Sequence, residues 1–194
     1  MRGVPASFPA TEYEAFTKNM IDRTKFTPGG VNPAHPVPIN FDQSVPTEEM
    51  VNLLARLCNL QPESLVVEIG TGSGYQAAVL AEKCHLVITV EVNPVYKPSS
   101  CALPANVMTF AGDGTRFDCY TEAGYAHADA VLVTFAAPMI YPAWKRMLRQ
   151  GGRLVVPLQT GSSAAISVFH KLGDDLILSE VVAYAPFTAM KEAA

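Results

Sequence analysis

The 194-residue chain carries little charge and no excess of basic residues. Only 16% of its residues are charged, and 14 lysines and arginines against 18 aspartates and glutamates give a formal net charge of -4. Because proteins that bind nucleic acid or an anionic membrane usually carry surplus positive charge, neither kind of partner is predicted. With 49% hydrophobic residues the chain is able to bury a sizeable core, so we expect one folded domain and not long disorder.

The sequence also lacks the motifs of disulfide scaffolds, metal sites and membrane spans. Its four cysteines are widely spaced and form no CxxC motif, which favours a reduced, intracellular protein. Its four histidines form no HExxH motif and no cysteine pairing at ligand spacing, so no metal is predicted. No run approaches the roughly 18 apolar residues of a membrane span, and the first residues lack an apolar core of signal-peptide length. We therefore expect a soluble, cytoplasmic protein.

Proline is concentrated in two segments. Seven of the 15 prolines precede residue 47, and three more lie between Pro94 and Pro104. An amphipathic helix is predicted over Thr11–Lys25, followed by extended chain to Pro46 in which residues 36–39 form a polyproline-like or edge-strand piece. The second group predicts that the crossover over residues 93–106 lacks the helix that ordinarily joins parallel strands.

From residue 65 onward, apolar runs of strand length alternate with helical stretches. The predicted strands cover residues 65–69, 86–92, 107–111, 130–135 and 153–158, and the predicted helices cover 75–83 and 138–149, after a first helix from an N-cap at Thr47 to Leu60. The pattern predicts an α/β fold with a doubly wound, mostly parallel, Rossmann-like sheet. Residues 165–171 and 176–184 predict a C-terminal antiparallel hairpin. We expect effectively one domain, in which residues 1–60 form an N-terminal helical and proline-rich segment packed on a main part of residues 61–194.

A glycine-rich turn comes directly after the first predicted strand of this sheet. It reads Gly70-Thr71-Gly72-Ser73-Gly74, and Glu68 precedes it. A turn of this kind between a strand and a helix is typical of a nucleotide-type cofactor site. A carboxylate at its mouth would repel the phosphates of a dinucleotide, whereas S-adenosyl-L-methionine has no phosphate and carries ammonium and sulfonium charges. The pattern therefore favours S-adenosyl-L-methionine, with S-adenosyl-L-homocysteine as the product.

Two further acids end later strands. Glu91 lies about 20 residues after the turn, where it can accept both ribose hydroxyls, and Asp113 is placed to meet the adenine amino group. A solitary acid at a strand end is more often a helix cap, but the joint placement favours a cofactor site. The predicted cofactor-binding residues are Glu68, Gly70, Thr71, Gly72, Ser73, Gly74, Glu91, Val92, Gly112, Asp113, Gly114 and Thr134.

The run from Glu68 to Ala81 resembles the first motif of the protein-L-isoaspartate (D-aspartate) O-methyltransferase family. Residues 112–114, 133–138 and 151–158 are similar to its later motifs in the same order, and the resemblance covers residues 12–188. It implies a class I, S-adenosyl-L-methionine-dependent methyltransferase that methylates the carboxylate of L-isoaspartyl residues in damaged proteins. The implied partner is a protein or peptide that bears isoaspartate.

Residues 36–39 and 42–45 are similar to the family segment beside the methyl-accepting carboxylate. The family serine there falls on Pro46, which has no hydroxyl, so Gln43, Ser44 and Thr47 become the candidate catalytic residues. Ser44 can instead cap a turn and Thr47 the following helix. Methylating an ionised carboxylate requires orientation more than a strong base. Two alternatives stay open: a diverged methyltransferase for another carboxylate or small molecule, and a non-catalytic cofactor-binding module.

Overall fold

The computed structural model describes residues 21–27, 35–40, 43–93, 103–116 and 127–190. In these ranges a seven-stranded sheet has helices on both faces and is preceded by a two-stranded hairpin. The helices are α1 (Glu48–Leu57), α2 (Tyr75–Ala81) and α3 (Pro142–Met147). The hairpin strands are β1 (Val37–Asn40) and β2 (Gln43–Val45), and the sheet strands are β3 (Leu65–Ile69), β4 (Leu86–Glu91), β5 (Val107–Ala111), β6 (Ala128–Val133), β7 (Leu148–Thr160), β8 (Ser163–Leu172) and β9 (Asp175–Ala185).

The order of the sheet is β5-β4-β3-β6-β7-β8-β9. The first five strands of this order are parallel, and β8 and β9 continue the sheet antiparallel. The predicted doubly wound, mostly parallel sheet with a C-terminal antiparallel hairpin is thus confirmed. Because the chain runs outward from β3 through β4 to β5 and then returns to β6 on the other side of β3, the strand order reverses between β3 and β6. A ligand-binding crevice is expected at the carboxyl ends of those two strands.

Two apolar cores lie on the two faces of the sheet. One contains the buried side chains of α1 and α2, such as Leu54 and Leu80, against Val66 and its neighbours. The other contains Trp144 of α3 against Val67 and the alternate residues of the adjacent strands. Successive strand residues therefore face opposite cores, which explains why these strands read as continuous apolar runs. None of the helices in the described ranges is long and apolar enough to cross a membrane.

Helix α3 is shorter than the helix predicted over residues 138–149. Pro142 occupies its first turn, and the backbone at Leu148 is already extended. Leu148 pairs with Ala128 of β6, so the last residues of the predicted helix belong to strand β7 instead. The apolar pattern alone did not distinguish these residues from a further helical turn.

The N-terminal region is only partly described. Of the helix predicted over residues 11–25, the described end is a short 3-10 helix, Arg23–Phe26, capped by the Asp22 side chain. The predicted edge strand at residues 36–39 corresponds to β1, which pairs with the unpredicted β2. The prediction for the crossover over residues 93–106 falls largely outside the described residues.

Candidate cofactor and active site

The glycine-rich turn folds tightly at the end of β3. Gly70, Gly72 and Gly74 have φ angles of 101°, 52° and 86°, a region that L residues with a Cβ rarely adopt. A Cβ on Gly70 would lie 2.4 Å from Oγ1 of Thr134, whereas one on Gly72 would meet no atom within 4 Å. Gly70 therefore allows the close approach of β3 and β6, and Gly72 leaves open space for a ligand.

Glu91 joins this turn to the end of β4. Its Oε2 accepts a hydrogen bond from the Gly72 backbone N–H at 2.9 Å, and its Oε1 accepts one from the Asn93 backbone N–H at 3.0 Å. The residue is only 7% exposed, yet it lines the cavity above the turn. Since each carboxylate oxygen has two lone pairs, both oxygens keep an acceptor position for a ligand hydroxyl.

Asp113 follows β5 on the same side of the sheet. Its Oδ1 accepts hydrogen bonds from the Thr115 backbone N–H at 2.9 Å and from the Thr115 hydroxyl at 2.7 Å, which fixes a tight turn. The next residue, Gly114, lies against Ile69, and its carbonyl accepts a hydrogen bond from Nε1 of Trp144 at 2.9 Å. The turn after β5 is therefore held against the core and presents Asp113 to the cavity.

Glu68 is beneath the turn and not at its mouth as predicted. It is completely buried and does not line the cavity. Its Oε2 accepts a short hydrogen bond from the Thr89 hydroxyl, which also bonds to the Thr71 hydroxyl at 2.7 Å, while its Oε1 has no partner. Burial raises the pKa of the Glu68 carboxyl to about 8, the Thr89 hydrogen bond opposes this shift, and the nearby Glu91 charge adds to it.

The hairpin β1–β2 supplies the opposite lip of the cavity. Ser44, Val45 and Pro46 line it, and Arg23 fixes their backbone by donating from Nη2 to the carbonyls of Val45 at 3.1 Å and Pro46 at 2.8 Å. Thr47 caps α1, because its hydroxyl oxygen accepts from the Met50 N–H at 3.2 Å, and it does not line the cavity. The side chain of Gln43 lies outside the described part of the structure.

A third wall comes from the segment after β9, which sequence reasoning missed. The Thr188 carbonyl accepts from the Ala136 N–H at 2.8 Å, and the Met190 N–H donates to the Ala136 carbonyl at 3.1 Å. Thr188, Ala189 and Met190 thus lie along the carboxyl end of β6 and line the cavity. No local pattern marks these residues, since only the path of the folded chain brings them back to the crevice.

Together these elements enclose a cavity of about 980 Å³ that includes its open mouth. The structure places the following predicted residues on its surface: Ser44, Gly70, Thr71, Gly72, Ser73, Glu91, Val92, Asp113, Gly114 and Thr134. Of the others, Gly74 is the N-cap of α2 and the Gly112 N–H donates to the Glu91 carbonyl at 2.9 Å, so both support the cavity from behind. The lining residues that were not predicted as site residues include Val45, Leu54, Gln76 and Thr115.

The fold and the site define the class of this protein. A doubly wound sheet with a glycine-rich turn after its first parallel strand and acids at the ends of the next two is the Rossmann-like arrangement that binds nucleotide-type cofactors at the strand ends. The family model of protein-L-isoaspartate(D-aspartate) O-methyltransferase matches residues 11–192. The chain belongs to this family.

Individual relatives agree with this assignment. Protein-L-isoaspartate O-methyltransferase 1 of Nitrosospira multiformis is 39% identical over 147 residues, which are 71% of this chain and 61% of that protein. A solved protein-L-isoaspartate O-methyltransferase superposes with a TM-score of 0.70 at 22% identity, over 89% of this chain and 59% of the other. A Plasmodium falciparum protein assigned to the same family was solved in complex with S-adenosyl-L-homocysteine. It superposes with a TM-score of 0.68 at 17% identity, over 92% of this chain and 94% of the other. The two structural likenesses establish the fold alone, and the chain spans about three fifths of the length of the first two curated relatives it matches.

Proposed function

We propose that the chain binds S-adenosyl-L-methionine in this cavity and transfers its methyl group to the carboxylate of L-isoaspartyl residues in proteins or peptides. The observation that carries the cofactor assignment is the carboxylate of Glu91, fixed by two backbone N–H groups beside the open face of Gly72. Among the described lining residues there are two carboxylates, Glu91 and Asp113, and no lysine, arginine or histidine. Such a lining disfavours phosphate and suits a ligand that carries positive charge.

The residues present fit this cofactor. The free acceptor positions of Glu91 suit the two ribose hydroxyls, and Asp113 at the end of β5 suits the adenine amino group. Gly70 to Ser73 bring backbone close to the ligand, and Val92 and Thr134 line the space beside it. Thr134 itself is held by hydrogen bonds to the carbonyls of β3 and the turn, so it shapes the cavity and offers no free proton.

The proposed reaction needs little acid–base chemistry from the protein. When bound, S-adenosyl-L-methionine would supply a methyl group on a sulfonium. An ionised carboxylate would attack the methyl carbon in line and displace the thioether sulfur. The work of the chain is therefore to hold the acceptor at the right distance and angle. The segment before residue 61, which includes the lip of Ser44 to Pro46, is proposed to cover the acceptor.

The cofactor assignment is tested with S-adenosyl-L-homocysteine. Titration calorimetry is expected to show binding by the unaltered chain and a roughly 10- to 100-fold weaker affinity for Glu91→Ala, because hydrogen bonds to a charged group are lost. Glu63→Ala serves as the matched control, since Glu63 is exposed and does not line the cavity. Equal affinity for both variants would contradict the proposed role of Glu91, and no binding at all by the unaltered chain would contradict the cofactor.

The acceptor is tested by incubating the chain with a labelled-methyl cofactor and a peptide that contains one isoaspartate, beside the same peptide with aspartate. Methylation of the isoaspartyl peptide alone is expected. Pro46 in the lip, at the position of the family serine, favours a second candidate: a methyltransferase for another carboxylate or a small molecule. Cofactor binding without methylation of the isoaspartyl peptide would support this second candidate.

A further inference from the structure

The donors available at the acceptor side of the cavity are few. Val45, Pro46, Leu54 and Met190 line this side, and none of their side chains has a polar hydrogen to donate. Pro46 also lacks a backbone N–H. With no cationic side chain among the described lining residues, an acceptor carboxylate has to be held by neutral donors.

Most hydroxyl protons on the described lining are already committed. Thr115 donates to Asp113, Thr134 donates to backbone carbonyls, and the Thr71 hydroxyl pairs with Thr89. Tyr75 also lines the cavity, but it is only 1% exposed and its ring belongs to the core beside α1, where it packs against Phe26. Ser73 belongs to the glycine-rich turn and so to the cofactor side. The Gln76 amide is buried and donates from Nε2 to the Val51 carbonyl at 3.3 Å. Two hydroxyls remain at the acceptor side, those of Ser44 and Thr188.

Thr188 is the better placed of these two. Its backbone is fixed against β6 by the hydrogen bonds of the Thr188 carbonyl and the Met190 N–H to Ala136, while its hydroxyl makes no hydrogen bond within the described residues. Thr188 is half-buried, whereas Ser44 is exposed and so competes with water. A donor on a fixed backbone loses less entropy when it binds, and partial burial strengthens the hydrogen bond.

We propose that the Thr188 hydroxyl donates a hydrogen bond to the methyl-accepting carboxylate, as the donor that Pro46 does not provide. This inference rests on the proposed function. In the reaction one carboxylate oxygen forms the new bond to the methyl carbon as the carbon–sulfur bond breaks, and the sulfur leaves with that electron pair as S-adenosyl-L-homocysteine. No proton is transferred, so Thr188 aims the carboxylate and is neither acid nor base.

The test compares Thr188→Val, which keeps the shape and removes the hydroxyl, with Thr188→Ser, which keeps the hydroxyl. With a labelled-methyl cofactor and an isoaspartyl peptide, Thr188→Val is expected to lower kcat/KM roughly 10- to 100-fold, and Thr188→Ser to stay within about threefold of the unaltered chain. The affinity for S-adenosyl-L-homocysteine, measured by calorimetry on the same variants, is expected to change less than about twofold.

Each other outcome overturns a separate statement. Full activity in Thr188→Val, or equal losses in both variants, overturns the role of the hydroxyl while the proposed function stands. A parallel loss of S-adenosyl-L-homocysteine affinity places the hydroxyl on the cofactor and overturns its role at the acceptor. An unaltered chain that binds the cofactor product and leaves the isoaspartyl peptide unmethylated overturns the proposed acceptor, and the inference falls with it.

Discussion

At the scale of single residues, Glu68 belongs to the glycine-rich motif in sequence but lies in the buried core of the structure. The sequence predicted a carboxylate at the mouth of the turn, but β3 alternates its side chains between the two faces of a sheet that is covered on both sides. Glu68 is accordingly buried with the core residues, and Thr89 and Thr71 link it to the turn. Its position in the sequence marks the start of the glycine-rich turn, whereas the depth of its side chain depended on packing.

The buried carboxyl of Glu68 predicts a pH dependence of stability. Its pKa is raised from 4.5 in the unfolded chain to about 8 in the folded protein, so the folded state binds the proton more tightly and loses stability as pH rises between these values. Between pH 5.5 and pH 8.5 the unaltered chain is expected to lose up to about 3 kcal/mol of unfolding free energy through Glu68. Glu68→Gln has no titrating group at this position, so the variant is expected not to show this loss. Urea unfolding at the two pH values measures the difference. An unchanged pH slope in the variant would show that Glu68 is ionised when folded.

At the scale of elements, α1 and its cap separate two interpretations of Thr47. The sequence makes its hydroxyl a catalytic candidate, but the hydroxyl oxygen caps α1 and Thr47 does not line the cavity. Thr47→Ala is expected to cost about 1 kcal/mol of unfolding free energy, with Thr47→Ser near the unaltered value. If the chain methylates isoaspartyl peptide as proposed, kcat/KM per folded molecule is expected to stay within about twofold in both variants. A loss of turnover at full stability would restore Thr47 to the active site.

The elements themselves were largely predictable because local patterns determine them. The bounds of β3 and β5 agree with the predicted strands, and the N-cap of α1 follows from a threonine before two acids. Prediction was weakest where tertiary pairing competes with local preference. Leu148 was predicted to be helical but pairs with β6. Strand β2 is too short and too polar to be recognised without its partner β1.

At the scale of the whole molecule, one side of the cavity was predictable from the sequence and the other was not. Its cofactor side is built from strand ends, so the topology that follows from alternating strands and helices brings Gly72, Glu91 and Asp113 to one edge. Its acceptor side combines the β1–β2 lip with Thr188 to Met190, which are more than 140 residues apart in the sequence. Such a junction depends on how two peripheral segments cross the sheet, and no local pattern records that path.

The far edge of the sheet predicts a contrast in stability between two valines on neighbouring strands. Leu178, Val181 and Tyr184 of β9 are 51%, 44% and 69% exposed, and irregularities in the β8–β9 register keep all three on one face. Val168 of β8 is fully buried. In chemical denaturation Val168→Ala is expected to cost roughly 1–3 kcal/mol and Val181→Ala less than about 0.5 kcal/mol, since only the first leaves a cavity. Equal costs would mean that the apolar face of β9 is covered in solution. Repeating the measurement at a tenfold lower protein concentration would then show what covers it: stability that falls on dilution indicates a second copy of the chain, and unchanged stability a segment of the same chain.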